Sequence, residues 1–385
     1  MSEDVDCLPS ATSSRKLSLT ENGHDKVDAL PAYMKITWLH AFLPFISLSI
    51  YVYDIGYNIA VAVFHYSNKD YWYFGLTLTF ILIPTLVMTG ISWRWYVLDA
   101  RKQEIVQYKN LKLIFILQRL GLFSRYLESI FLTIYFIIAK DTSEKKECYT
   151  FVVYADTIAN KLRFFGCLMG SAPQLVLQIY ILALQNPLYG DNRFMLFTQI
   201  NSCLASLVSL SWSLVSYQRS LRLSLPNKVS LTWQGIAVQF LWRFSVIAAR
   251  VLALALFAAI YNWYISIVCG VHCIIMFAWI VSMKTSFCEN RCEELGYNAV
   301  LAVMYIFCYF NPVDSPTRYR YAIYYTFMFC ENTLLMTLWF TKAEPHLWYR
   351  IPAFVGHYMS FFIGLLYMLV YYLVYHPSKS CTLEI

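Results

Sequence analysis

The chain has 385 residues, of which 59% are hydrophobic and 18% aromatic, while only 14% carry charge. A soluble domain of that length needs far more charge to cover its surface, so the composition excludes one and points to a polytopic membrane protein. The formal charge of +7 sits in loops beside apolar segments, as the positive-inside rule expects, and no motif arranges it for nucleic-acid binding.

Residues 1–40 are polar, mixed in charge and rich in Ser, Asp and Lys. They read as a disordered cytoplasmic tail with no cleavable signal peptide. Apolar stretches then follow at 41–65, 71–93, 111–139, 162–184, 194–214, 235–261, 263–281, 298–310, 321–340 and 351–375. A spanning helix needs about 20 apolar residues, which eight of these supply. The stretch 298–310 is too short, and 111–139 is interrupted by Arg119, Arg125 and Glu128.

Loop charge argues the topology. The loop after the second stretch carries Arg94, Arg101, Lys102, Lys109 and Lys112 against Asp99 and Glu104. The loop after the fifth carries Arg219, Arg222 and Lys228 without an acid. Both belong in the cytoplasm. Three stretches lie between them, so one must dip in and return. The charged stretch 111–139 is the expected re-entrant element, tolerated only inside protein or along a cavity. The second half repeats the pattern, with 298–310 as its defective third element. The expected fold is therefore all-α, with eight transmembrane helices and two re-entrant or partial elements in two pseudo-repeats. The repeats cover 41–230 and 231–376, a short tail covers 377–385, and both termini are cytoplasmic.

Charge inside these stretches is the main functional signal. Asp54, Arg119, Arg125, Glu128, Arg163, Arg243, Arg250 and Glu331 all lie there. Each costs about 2.5–3.5 kcal/mol at mid-helix unless paired or hydrated. Arg119, Arg243 and Arg250 are the candidates for a polar track, because guanidinium suits phosphate. Asp54, Arg125, Glu128, Arg163 and Glu331 read as a paired scaffold, with Arg125 and Glu128 spaced to bond one another. Gln174 and Gln178, one turn apart, read as interhelical hydrogen-bonding residues. Tyr66, Tyr71, Trp72, Trp93, Trp95, Trp348 and Tyr349 sit at span ends as interfacial anchors. The pairs Cys269/Cys273 and Cys288/Cys292, with His272 beside the first, read as packing residues, so no metal and no cofactor is expected.

Several islands resemble the XK-related family. They are Tyr51-Val-Tyr-Asp54; Gly121 with Arg125-Tyr126; Ser171-Ala-Pro173-Gln174-Leu175 with Gln178 and Tyr180; and Ser211-Trp212-Ser213 with Tyr217-Gln218 and Ser224-Leu-Pro226. The run from Asn311 through Arg318 and Tyr324-Tyr325 to Glu331-Asn332 continues the likeness, and Tyr371-Tyr372 with His376-Pro377 closes it. The resemblance implies an eight-span protein with two half elements. It also implies, for several members, scrambling of phospholipids between leaflets, with phosphatidylserine exposed on dying cells. Membrane phospholipids are then the substrate and the plasma membrane the site. A single-span membrane glycoprotein partner is implied for some relatives. Where active members carry acids, this chain has Gly166, Gly170, Ser216 and Asn58. Gly166 and Gly170 also suit close helix packing.

The tail carries Asp25-Lys26-Val27-Asp28-Ala29, the pattern that effector caspases cut, with Asp28 at the cut and an exposed, polar setting. Within this resemblance it reads as a switch in which residues 1–28 hold the protein inactive. Arg15-Lys16-Leu-Ser18 is a basophilic phosphorylation pattern, and Leu383-Glu384-Ile385 a hydrophobic C-terminal ligand. Two readings compete: a scramblase, and a non-scrambling membrane subunit or solute transporter, which the missing acids favour. No hydrolase signature is present, and an enzyme is not expected.

Overall fold

The computed structural model describes residues 38–101, 121–185, 193–224, 230–285, 291–310 and 318–376. Its regular elements are helical throughout: α1 (Trp38–Ser67), α2 (Tyr71–Arg101), α3 (Leu122–Ile138), α4 (Thr142–Met169), α5 (Ser171–Gln185) and α6 (Arg193–Ser224). They continue as α7 (Trp233–Tyr261), α8 (Tyr264–Ser282), α9 (Arg291–Met304), α10 (Arg318–Lys342) and α11 (Arg350–Val370), which ends in a π turn at Tyr371–Tyr375. The segments form two compact units, residues 263–327 and residues 38–262 with 328–376.

Among the described residues, seven helical runs are long and apolar enough to cross a membrane. That bears out an all-helical, multi-pass protein. Helix α10 has the length, at 25 residues, but its tyrosines, Asn332 and Glu331 keep it less apolar than the seven. Helix α3, at 17 residues, spans only about 26 Å at the usual rise.

The fourth expected span, 162–184, is redrawn. Helix begins at Thr142, twenty residues earlier, and is interrupted at Gly170. Charges dilute the hydropathy of residues 142–161, yet Val152, Val153, Ala155, Ile158 and Ala159 bury one face, which is the helical period. The break has a local cause. Pro173 lacks an N–H, so Met169 O loses its helical donor, while Gly170 N→Gly166 O and Gln174 N→Gly170 O carry helical bonding past the step.

In the larger unit, α7 and α11 pack closest. Gly364 allows it, since a β-carbon there would lie 2.6 Å from Val246 Cγ2 and 3.1 Å from Val246 N. Ser360 Oγ donates to Ser245 O at 2.8 Å, and His357 Nδ1 lies 2.9 Å from Ala249 O on the same seam. Helix α3 enters through Gly121 at φ 70°, a left-handed conformation that suits glycine, and a β-carbon there would strike Thr89 Oγ1 of α2 at 2.6 Å.

In the smaller unit, Tyr305 is the hub. His272 Nε2 lies 3.0 Å from its carbonyl, Tyr324 donates to that carbonyl at 2.7 Å, and Tyr305 donates to Phe310 O at 2.7 Å. Helix α9 ends there: the Leu301, Val303 and Met304 carbonyls accept backbone N–H groups, and the Tyr305 carbonyl is met by side chains.

Candidate functional site

Three helices of the larger unit each carry a polar stripe at helical spacing. On α1 it is Ser47, Tyr51, Asp54 and Asn58; on α4, Asp156, Asn160, Arg163 and Cys167; on α6, Ser202, Ser206, Ser209, Ser213, Ser216 and Ser220. All but Tyr51, which is half-buried, are buried. Lipid cannot satisfy such groups, so the stripes must face one another.

They do. Asp54 accepts from Asn58 Nδ2 at 2.9 Å, from Ser206 Oγ at 2.7 Å and, across to α5, from Ser171 Oγ at 2.7 Å. Asn58 in turn accepts from Ser202 at 2.7 Å. Arg163 donates to Ser209 Oγ at 2.8 Å and Ser47 O at 3.3 Å, with its guanidinium 5.0 Å from the Tyr51 ring centre. Trp212 Nε1 donates to Ser47 Oγ at 2.8 Å. Each interhelical bond of this kind is worth about 0.6–2 kcal/mol in a bilayer.

Asp54, Asn58, Arg163 and Ser171 also line a groove of about 70 Å³, with Thr85 and Thr89 of α2 on the opposite wall. Asp54 and Arg163 therefore both border one groove, whose lining also includes Ile55, Phe80, Ile81, Met88 and Leu122. The two charges match the two ends of a zwitterion.

Asp54 and Arg163, expected as scaffold, line the groove. Arg243 and Arg250, expected on the track, are 1% and 0% exposed. Arg250 bonds Glu331 at 3.1 Å and Asn332 Oδ1 at 2.7 Å, and the Arg243 guanidinium lies 4.1 Å from the Trp242 ring centre. Arg125 meets Glu128 at 3.3 Å, as their spacing predicts, and also donates to Ser92 Oγ at 3.0 Å and Ser92 O at 3.2 Å. Arg119 and Asp28 lie outside the described residues.

Asp156 escaped the sequence reading, and Arg219 belongs to a helix rather than to the expected loop. Asp156 and Arg219 form an ion pair at 2.7 Å between α4 and α6, both sealed from solvent. Arg219 is thus not a loop charge, and the topology argument loses one of its cations. The signal was available, since Asp156 stands four before Asn160 and seven before Arg163 on one helical face.

Gly170, in a position where relatives were expected to carry an acid, meets the α2 backbone. A β-carbon there would lie 2.9 Å from Phe80 O, while one at Gly166 would touch only Met88 Cγ at 3.4 Å. Gln178 Nε2 reaches Thr77 Oγ1 at 3.5 Å. Both amide atoms of Gln174 are buried without a hydrogen-bond partner among the described residues. At the chain's far end, Arg222 Nη2 lies 3.1 Å from His376 Nε2. His376 is half-buried, and burial, then the Arg222 charge, hold its pKa below the usual histidine range.

A family model described as XK-related protein matches residues 42–377. The cell death abnormality protein 8 of Caenorhabditis briggsae is 29% identical over 403 aligned positions, covering 96% of this chain and 87% of that protein. The XK-related protein 8 of Tetraodon nigroviridis is 26% identical over 361 positions, covering 90% and 86%.

Proposed function

The chain belongs to the XK-related family, and from that premise we propose that it is a phospholipid scramblase. It moves lipids between leaflets of the plasma membrane and exposes phosphatidylserine in dying cells. The observation that carries this reading is the groove that holds Asp54 and Arg163 together inside the bundle. Scrambling is downhill, so the protein needs only to lower the barrier to moving a headgroup through hydrocarbon. A carboxylate and a guanidinium on residues that border one groove supply partners for an ammonium and a phosphate, while the acyl tails stay in lipid. The role in cell death draws on the name of the nematode relative.

Activation belongs to the same proposal. Cleavage after Asp28 by an effector caspase removes residues 1–28 and releases the path. Helix α10 serves as the eighth span, and both termini face the cytoplasm. The test is fluorescent-lipid scrambling in proteoliposomes, comparing the full chain with one that starts at Ala29. Activity in the shortened chain alone supports a cleavage-gated scramblase. Activity in neither, with folded protein, removes the scramblase reading.

A second reading, a non-scrambling membrane subunit or solute transporter, is favoured by one observation. Gly166 and Gly170 add no charge to the groove wall, and Gly170 is committed to contact with α2.

A further inference from the structure

The groove as it stands is too small for a headgroup. Its volume of about 70 Å³ falls well below the roughly 300 Å³ and more of a ligand-binding pocket. One of its walls must move before a headgroup can enter.

That wall is identifiable. Helix α2 contributes Phe80, Pro84, Thr85, Met88 and Thr89 to the lining. It is also the wall least held by protein: 17% of its apolar window is buried, against 33% for α1 and 56% for the α4–α5 run. Pro84 lies within it. Having no N–H, Pro84 leaves the Phe80 carbonyl without its intrahelical donor, which weakens the helix at that point.

The freed carbonyl is directed at Gly170. A β-carbon at Gly170 would stand 2.9 Å from Phe80 O and 3.2 Å from Pro84 Cγ, so this stretch of α2 is seated on a residue that only glycine fits without a shift. Elsewhere the seam between α2 and α5 is poorly bonded. The bond from Gln178 to Thr77 is 3.5 Å long. One turn beyond Gly170, Gln174 is 1% exposed and both its amide atoms lack a partner among the described residues. A buried amide left unbonded destabilises the arrangement that buries it and favours another in which it is solvated.

We propose that α2 is the movable wall of the groove, hinged at Pro84 and seated on Gly170. In the closed state the seat holds α2 against α4 and α5. In the open state α2 swings away, the Gln174 amide is uncovered, and the groove widens to admit a polar headgroup. The motion itself stands on the geometry of the seat; only its use for lipid rests on the scramblase reading.

Cys167 reports it. The thiol lines the groove and is 4% exposed, while Cys148, on the same helix, is 0% exposed and lies outside the lining. The full chain in proteoliposomes is treated with N-ethylmaleimide, and alkylation of each cysteine is followed by peptide mass spectrometry. Gly170→Ala crowds the seat and raises the Cys167 rate about ten-fold, equivalent to about 1.4 kcal/mol of overpacking, with Cys148 unchanged. Gly166→Ala leaves both rates as they are. Gln174→Leu removes the unbonded amide without adding bulk and slows Cys167. An unchanged Cys167 rate in folded Gly170→Ala overturns the proposal. Should Gly170→Ala loosen the whole bundle, so that Cys148 reacts in step, Gln174→Leu decides: slower Cys167 labelling supports the moving wall, and unchanged labelling overturns it. Lipid scrambling by the same variants in the chain that starts at Ala29, which lacks the inhibitory tail, separates the two ideas. Cys167 rates that shift as expected with no scrambling in any variant keep the moving wall and remove the lipid path.

Discussion

A single nitrogen of Arg219, Nη2, donates to both carboxylate oxygens of Asp156, at 2.9 and 2.7 Å. Asn160 Nδ2 donates to the same carboxylate at 3.0 Å. The pair ties α4 to α6 where neither water nor lipid can replace a lost partner. Removing one member strands a buried charge, at a cost of about 3–5 kcal/mol. Asp156→Ala is therefore expected to lower the detergent melting temperature sharply, and Arg219→Ala to do the same. The double variant should cost clearly less than the two singles added together. Additive losses would show that the pair is not a unit.

Helix α11 offers a matched pair of glycines. A β-carbon at Gly364 meets Val246 side chain and backbone, whereas one at Gly356 meets nothing within 4 Å. Gly364→Ala is expected to destabilise by about 1–3 kcal/mol through overpacking. Gly356→Ala is expected to be neutral or to stabilise by up to about 1 kcal/mol through helix propensity. Thermal unfolding of both variants checks the packing of α11 on α7. Equal effects would mean that the α7–α11 seam is not the tight contact described.

How far the sequence could be read depended on which physical signal each element gives. Long apolar runs announced α1, α2, α6, α7, α8 and α11, because hydrocarbon admits little else. Helix α4 was cut short, since Glu144, Lys145, Lys146 and Asp156 hide an amphipathic face from a hydropathy reading. Charges could be found but not assigned. Arg250 and Glu331 stand 81 positions apart, and only the fold shows that they bond. Asp54 and Arg163 looked like scaffold because each is a lone charge in an apolar run; that they share a groove with α2 is a tertiary fact. The Asn58 substitution does become intelligible. An amide can donate to Asp54 and accept from Ser202, whereas an ionised Asp could only repel its neighbour.

The contact of Arg222 with His376 sets a pH dependence. Arginine can only donate, so His376 Nε2 must accept, and the ring must be neutral. Burial and the Arg222 charge hold the folded pKa below the ordinary value, which is about 6.5 in an unfolded chain. The folded state thus binds fewer protons than the unfolded one. The stabilising contribution is complete above about pH 6.5 and is lost as pH falls through the depressed folded value. Melting temperature should therefore fall between about pH 7 and about pH 5 more steeply in the natural chain than in His376→Gln. Parallel slopes would remove His376 as the source.

Asp54→Asn separates the charge in the groove from its hydrogen bonds. Asn58, Ser171 and Ser206 all donate to this carboxylate, and a serine hydroxyl can turn to accept from the new amide while the rest of the network stays in place. Stability is expected to drop by about 1–3 kcal/mol, since neutral bonds replace all three charged ones. Scrambling of an ammonium-bearing lipid is expected to slow about ten-fold, the loss of about 1.4 kcal/mol of charge-assisted bonding. A lipid whose headgroup carries no cation should move at nearly its original rate. The comparison is made in proteoliposomes with the chain starting at Ala29. Equal slowing of both lipids would assign Asp54 to the scaffold, while selective slowing places its carboxylate on the path that the headgroup takes.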